Sequence, residues 1–109
     1  LMLTVALMAA CSKSSGGADL ASIRTSFSGG DLATAEVQAK QFLKSEPENP
    51  EGRFLLGQIY LANEVAKAAQ GEFERAQRNG LPLPQVAASL GRAYALGGDC
   101  DKLDALVAY

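Results

Sequence analysis

Residues 54–62 read FLLGQIYLA, and residues 88–96 read ASLGRAYAL. Overlaid at an offset of 34 positions, Leu56, Gly57 and Tyr60 fall on Leu90, Gly91 and Tyr94. The same shift carries Gly30 to Glu64 and on to Gly98. Apolar residues in both stretches recur every three or four positions, the spacing that lines one face of a helix. A helix that returns at a fixed interval implies small stacked units, none of which can bury its apolar face alone.

Outward from these helices, each unit has a second half. Ala69, Phe73 and Ala76 stand at spacings of 4 and 3, and Ala35, Ala39 and Phe42 occupy the matching places one period earlier. Large and small residues trade places between the units, so Phe73 in one and Phe42 in the other are expected to fill the gap between paired helices. Pro47 and Pro50 bracket a turn, where Asn49 can cap the next helix and Pro50 suits its first turn. Asn79 and Gly80 end a helix through a left-handed residue, and Pro84 opens another. Helices are expected at about 18–28, 31–45, 50–62, 65–79, 84–96 and from 100 onward. The first of them keeps the stripe Leu20, Ile23 and Phe27 without the small residue and the tyrosine, as a degenerate end repeat would.

With a period of 34 and Leu56, Gly57, Tyr60, Ala69, Phe73 and Ala76 at their spacings, followed by Leu90, Gly91 and Tyr94, the chain resembles tetratricopeptide (TPR) repeats. The match covers about residues 30–109. The resemblance implies an all-α fold of helix-turn-helix units stacked as a short right-handed solenoid over 18–109, about two and a half to three units with the last unfinished. Gly57 and Gly91 would let the second helix of a unit approach closely, and Tyr60 and Tyr94 would bury their rings. Binding in such arrays uses the concave face of the first helices. Here that face would display Phe54, Gln58 and Leu61, then Arg92 and Leu96, to a protein or peptide partner; the competing reading is a solvated face without a specific ligand. The Lys and Asn pattern that clamps a peptide carboxylate in some TPR domains is absent.

Composition agrees with helix and narrows function. Of 109 residues, 48% are hydrophobic, with Ala and Leu prominent, which favours helix over sheet. A formal charge of −2 without long runs excludes the basic footprint of a nucleic-acid binder. There is no His, so a His-based triad or general base is excluded, and neither an enzyme nor a cofactor is indicated. Cys11 and Cys100 lack the spacing and company of a zinc site. Cys100 is expected to pack as a small apolar residue, and Asp99, Asp101 and Asp104 to serve a helix start rather than a metal. The SGGD at Ser28–Asp31 lacks the Lys of a phosphate loop and reads as a helix–helix turn.

The first ten residues, LMLTVALMAA, form an apolar run about half the length that spans a bilayer. They suit the core of a signal peptide. Leu7 to Cys11 resembles a bacterial lipobox, with Met8 where such boxes usually carry Leu. That likeness makes Cys11 a lipidated mature N-terminus and residues 11–17 a flexible tether. The competing reading is a buried N-terminal helix with a packed cysteine. Ser12, by the sorting rule of enteric lipoproteins, directs the protein to the periplasmic face of the outer membrane. The pattern starts and stops mid-phrase at Leu1 and Tyr109, as in a fragment. The run EVQAKQFLKSEPENPEGRFLLGQIYL and the unit ending ERAQRNGLPLPQV are similar to TPR lipoproteins of the PEP-CTERM and exosortase system, the PrsT family. That resemblance implies a scaffold accompanying exopolysaccharide production and export. Pilus-assembly or outer-membrane-assembly TPR lipoproteins, and the docking region of a larger enzyme, remain alternatives.

Overall fold

A computed structural model describes residues 19–108; the expected signal peptide, Cys11 and its tether lie outside that range. The described residues form six helices and no strand: α1 (Leu20–Ser28), α2 (Leu32–Ser45), α3 (Pro50–Ala62), α4 (Ala66–Arg78), α5 (Leu83–Gly97) and α6 (Cys100–Val107). The fold is all-α. Local chemistry sets the helix starts. Asp19 and Asp31 each accept a backbone N–H three residues on, from Ser22 at 2.8 Å and Thr34 at 3.2 Å. Asn49 accepts from Gly52 at 3.0 Å, and Pro50 follows it where no amide donor is needed.

The 34-residue period is written into the backbone. Gly30, Glu64 and Gly98 all hold positive φ, at 83°, 60° and 73°. Next come Asp31, Val65 and Asp99, with φ and ψ of −86° and 74°, −95° and 78°, and −88° and 71°. The amides of these three residues reach back to the carbonyls of Ser26, Tyr60 and Tyr94 at 3.0, 2.9 and 2.9 Å, closing the preceding helix through a six-residue loop. The outer turns spell Gly-Asp, and only the middle one spells Glu-Val. Glu64 therefore carries the left-handed penalty of a side chain, about 1 kcal/mol or more, partly offset by the greater chain entropy glycine would lose. Val65 holds a capping position with no side-chain acceptor. Glu64→Gly should stabilise the protein by about 0.5–1 kcal/mol and Val65→Asp by about 1 kcal/mol. Urea denaturation of both variants checks this; a loss of stability in Glu64→Gly would mean that the turn carries no strain.

Each helix packs on the next in sequence. In addition α1 packs on α3 and α3 on α5, whereas the backbones of α2, α4 and α6 do not approach one another, and α4 and α6 are joined through the Glu74–Lys102 ion pair at 3.6 Å. Two cores result. One joins Ile23, Ala35, Ala39, Phe42, Leu43, Leu55, Leu56 and Ile59; the other joins Ala69, Phe73, Ala76, Leu81, Val86, Leu90, Ala93 and Tyr94. Tyr60 packs against both and links them.

The expected exchange between Phe42 and Phe73 takes a different form. Phe73 lies over Gly57, where an added Cβ would meet its ring at 2.6 Å, and so fills the gap between α3 and α4. Phe42 lies over Gly52, where a Cβ would meet the ring at 2.8 Å, and so fills the gap between α2 and the following helix. The two rings occupy different gaps. Each is balanced by its own small partner one period away. Ile23 and Ala39 stand where Gly57 and Phe73 stand, and Val86 and Ala76 stand where Gly52 and Phe42 stand. All four of these residues are fully buried. Gly91 departs from expectation: a Cβ there would lie 3.6 Å from Leu106, in ordinary contact. The position matching Phe73 in the last pair is Val107, which leaves Gly91 uncrowded.

Candidate binding surface

Of the five residues expected on the concave face, three lie on α3. Phe54 and Leu61 are half-buried against the second core, and Gln58 is half-buried as well. Phe54 sets its ring 5.6 Å from that of Phe73, tilted by 51°, so much of its surface serves packing within the pair rather than display. Arg92 and Leu96, on α5, are exposed, and Arg92 makes no ion pair among the described residues. The expected face is therefore open at its α5 end and largely absorbed at its α3 end.

Two polar clusters hold α4, α5 and α6 together beside this face. Gln70, on α4, is buried, and its Nε2 donates to the Ala93 carbonyl at 3.1 Å and to the Asp99 carboxylate at 2.6 Å. Lys67 donates to both oxygens of that carboxylate, at 2.9 and 2.8 Å. Lys67, and then Gln70, hold the Asp99 carboxyl below the usual aspartate range. Gly97 makes room for the cluster, since a Cβ there would fall 2.6 Å from the Gln70 amide nitrogen. Asp99 thus occupies the N-cap position without capping; its side chain is spent on α4, and the expectation of a capping carboxylate is corrected there. Asp101 does sit in the first turn of α6. In the second cluster Tyr94 donates to Glu74 at 2.7 Å while the Lys102 ammonium lies 5.7 Å from the ring centre. Burial, and then the bond to Glu74, push the Tyr94 hydroxyl well above its ordinary value. One period earlier Tyr60 also faces a lysine, with the Lys40 ammonium 6.0 Å from its ring centre, but Lys40 stands at the place of Glu74 and Ala68 at that of Lys102.

Between α3 and α4, Arg53 and Glu72 form an ion pair at 3.0 Å, with each side chain only 15% exposed. Arg53 also donates from Nε to the Pro47 carbonyl at 3.0 Å, tying the α2–α3 turn to the pair. One period on, the same two positions hold Ala87 and Leu106, an apolar couple.

Cys100 corrects a further expectation: it is exposed rather than packed. No residue of α6 is buried, because it packs chiefly against α5, with α4 reaching it through the Glu74–Lys102 ion pair at 3.6 Å. The same geometry opens an apolar groove of about 470 Å³ along α5 and α6, lined in part by Ala88, Gly91, Arg92, Leu103 and Val107. Of these only Arg92 was picked out as a binding residue by sequence. The signal was present all the same, because the groove is the Phe54, Gly57, Gln58, Ala69 and Phe73 face moved forward by one period. Among the described residues no helix is long and apolar enough to cross a membrane, and no group of three or more His, Cys, Asp or Glu is gathered as a metal site. No protein-family model, curated protein or solved structure matches the chain.

Proposed function

We propose that the chain is a TPR-type scaffold, a short right-handed solenoid of helix pairs, tethered by lipid at Cys11 to the periplasmic face of the outer membrane and working with partners in exopolysaccharide production and export. The observation that carries the scaffold reading is the backbone period: three left-handed turns 34 residues apart, each followed by the same entry into the second helix of a pair. The contacts between successive first helices support stacking of like units. The anchor rests on Leu7 to Cys11 and the polar tether that follows. The exopolysaccharide setting rests on the resemblance to the PrsT lipoproteins. Partner binding is assigned to the exposed α5 side of the first-helix face, through Arg92 and Leu96.

Expression in a Gram-negative host with Cys11 intact and as Cys11→Ser tests the anchor. A diacylglyceryl mass increment together with membrane retention, both lost in Cys11→Ser, is the expected result. An unmodified soluble protein in both cases would remove the lipoprotein reading and leave a plain adaptor. For the face, cross-linking in a strain producing exopolysaccharide should recover components of that export system with the native chain and fewer with Arg92→Glu and Leu96→Glu. Recovery of only pilus or outer-membrane-assembly proteins would move the scaffold to a different system.

A further inference from the structure

We propose that the cleft between the α2–α3 turn and the end of α4 binds a carboxylate carried by an acidic peptide segment of a partner protein. The cleft encloses about 390 Å³ and is lined by Pro47, Glu48, Arg53, Arg75, Arg78 and Asn79. Both of its walls are described residues of successive helix pairs, so it is internal to the array and does not depend on what stacks on the ends. It shares no residue with the first-helix face to which partner binding is assigned, and it needs neither the lipid anchor nor the export system.

Three of the chain's five arginines converge here, although the chain as a whole carries a formal charge of −2. Arg53 is held in place: its Nε donates to the Pro47 carbonyl and its Nη1 to Glu72, each at 3.0 Å. Arg75 and Arg78 are exposed and make no ion pair among the described residues. The repeat does not demand this cluster. One period on, Ala87 takes the place of Arg53, and one period back Gln41 takes that of Arg75. The carbonyls that end a helix favour a nearby cation, but α2 ends with Lys44 alone where α4 carries both Arg75 and Arg78.

Charge balance selects the ligand. Glu72 neutralises Arg53, and Glu48 offsets one of the other two arginines without coming within ion-pair distance of either. One positive charge is left. A single carboxylate satisfies it, whereas a doubly charged phosphate exceeds it and is repelled by Glu48. Two guanidinium forks three residues apart on one helix face can hold a carboxylate between them. Glu48 and the Asn79 amide then supply an acceptor and a donor for the backbone of a peptide. Sites for compact organic molecules are mostly apolar, and here Pro47 is the only apolar residue of the lining. An open, polar cluster of arginines instead suits an acidic segment of a protein.

The test uses the chain labelled for amide and guanidinium spectroscopy and, as probe, a short capped peptide of alternating glycine and glutamate. Shifts are expected at Glu48, Arg75, Arg78 and Asn79, with affinity reduced about tenfold in each of Arg75→Gln and Arg78→Gln. Both arginines are exposed, so an unchanged circular dichroism spectrum separates lost binding from lost fold. The same peptide with glutamine in place of glutamate should leave the spectrum unmoved. Inorganic phosphate and glucuronate should each bind about tenfold or more weakly than the peptide, and Glu48→Gln should narrow the gap for phosphate. Equal binding by the glutamine peptide, phosphate or glucuronate matching the glutamate peptide, or no shifts at millimolar peptide would each overturn the proposal. So would shifts confined to Arg92 and Leu96, which would put the carboxylate on the first-helix face. The Cys11 experiment is independent of all these outcomes.

Discussion

Phe73→Ala is expected to cost about 3–5 kcal/mol, and adding Gly57→Ile is expected to return a large part of that loss. Phe73 is the largest fully buried side chain in the second core, and truncating it leaves a cavity against Gly57, which has no side chain to relax into the space. Gly57→Ile alone should be as damaging, because even its Cβ would stand 2.6 Å from a ring that is packed on all sides. Together the two changes rebuild the arrangement already present one period earlier, where Ile23 and Ala39 are both fully buried. A coupling of about 2 kcal/mol or more between the two positions is therefore expected in a double-mutant cycle measured by urea denaturation. Additive losses would show that the gap between α3 and α4 is not interchangeable with that between α1 and α2. Gly91→Ala provides the contrast. With its nearest neighbour at 3.6 Å, the added methyl makes ordinary contact without crowding, and the higher helix propensity of alanine should stabilise the protein by about 0.5–1 kcal/mol. A domain of this size has only about 5–10 kcal/mol to lose, so the cycle is best run in the Glu64→Gly, Val65→Asp background.

Gln70→Leu should destabilise the chain by about 2 kcal/mol, and the deficit should shrink in acid. The side chain is buried with its amide nitrogen bonded to Ala93 and Asp99, so its loss strands a carboxylate oxygen beside Gly97 with Lys67 as its remaining partner. The Asp99 carboxyl is held below the ordinary value of 3.8 in the folded protein. A depressed folded value means that the unfolded chain binds the proton more readily. The stabilisation is thus complete above the ordinary aspartate range and is lost as the pH falls through the folded value. Native and Gln70→Leu stabilities should differ most near neutrality and converge as the pH falls through the depressed folded-state value of Asp99. A difference independent of pH would assign the whole effect to packing. Asp19, depressed mainly by the Ser22 backbone N–H it accepts, contributes in the same direction at the other end of the chain and is common to both proteins.

What could be read from sequence divides along the range of the interactions concerned. Helix boundaries were legible because their causes lie within a few residues: Asn49 caps a helix opened by Pro50, and Gly98 closes one by its positive φ. The positions that recur at 34, Leu56 and Leu90 or Ala35 and Ala69, were legible as core because the period samples the same environment twice. Gly52 was not, since the next unit has Val86 there. Its smallness answers to Phe42, ten residues away on another helix, and a comparison of like positions hides a change compensated at an unlike one. Asp99 was misread for a related reason. Its place at a helix start predicts capping, yet its partners Lys67 and Gln70 lie 32 and 29 residues distant. On the face expected to bind, spacing identified Phe54, Gln58 and Leu61 as one row but gave no account of how far the neighbouring pair covers them.

First helices pack on first helices, while the second helices keep their backbones apart, α4 and α6 being joined by the Glu74–Lys102 ion pair. Mechanically this makes the fold a leaf spring clamped along one edge. Bending that opens or closes the angle between pairs leaves the α1, α3, α5 spine in contact and asks the α2, α4, α6 edge only to spread or close up. Tension applied at its ends would thus be felt first along the edge that side-chain pairs such as Glu74 and Lys102 span without backbone contact.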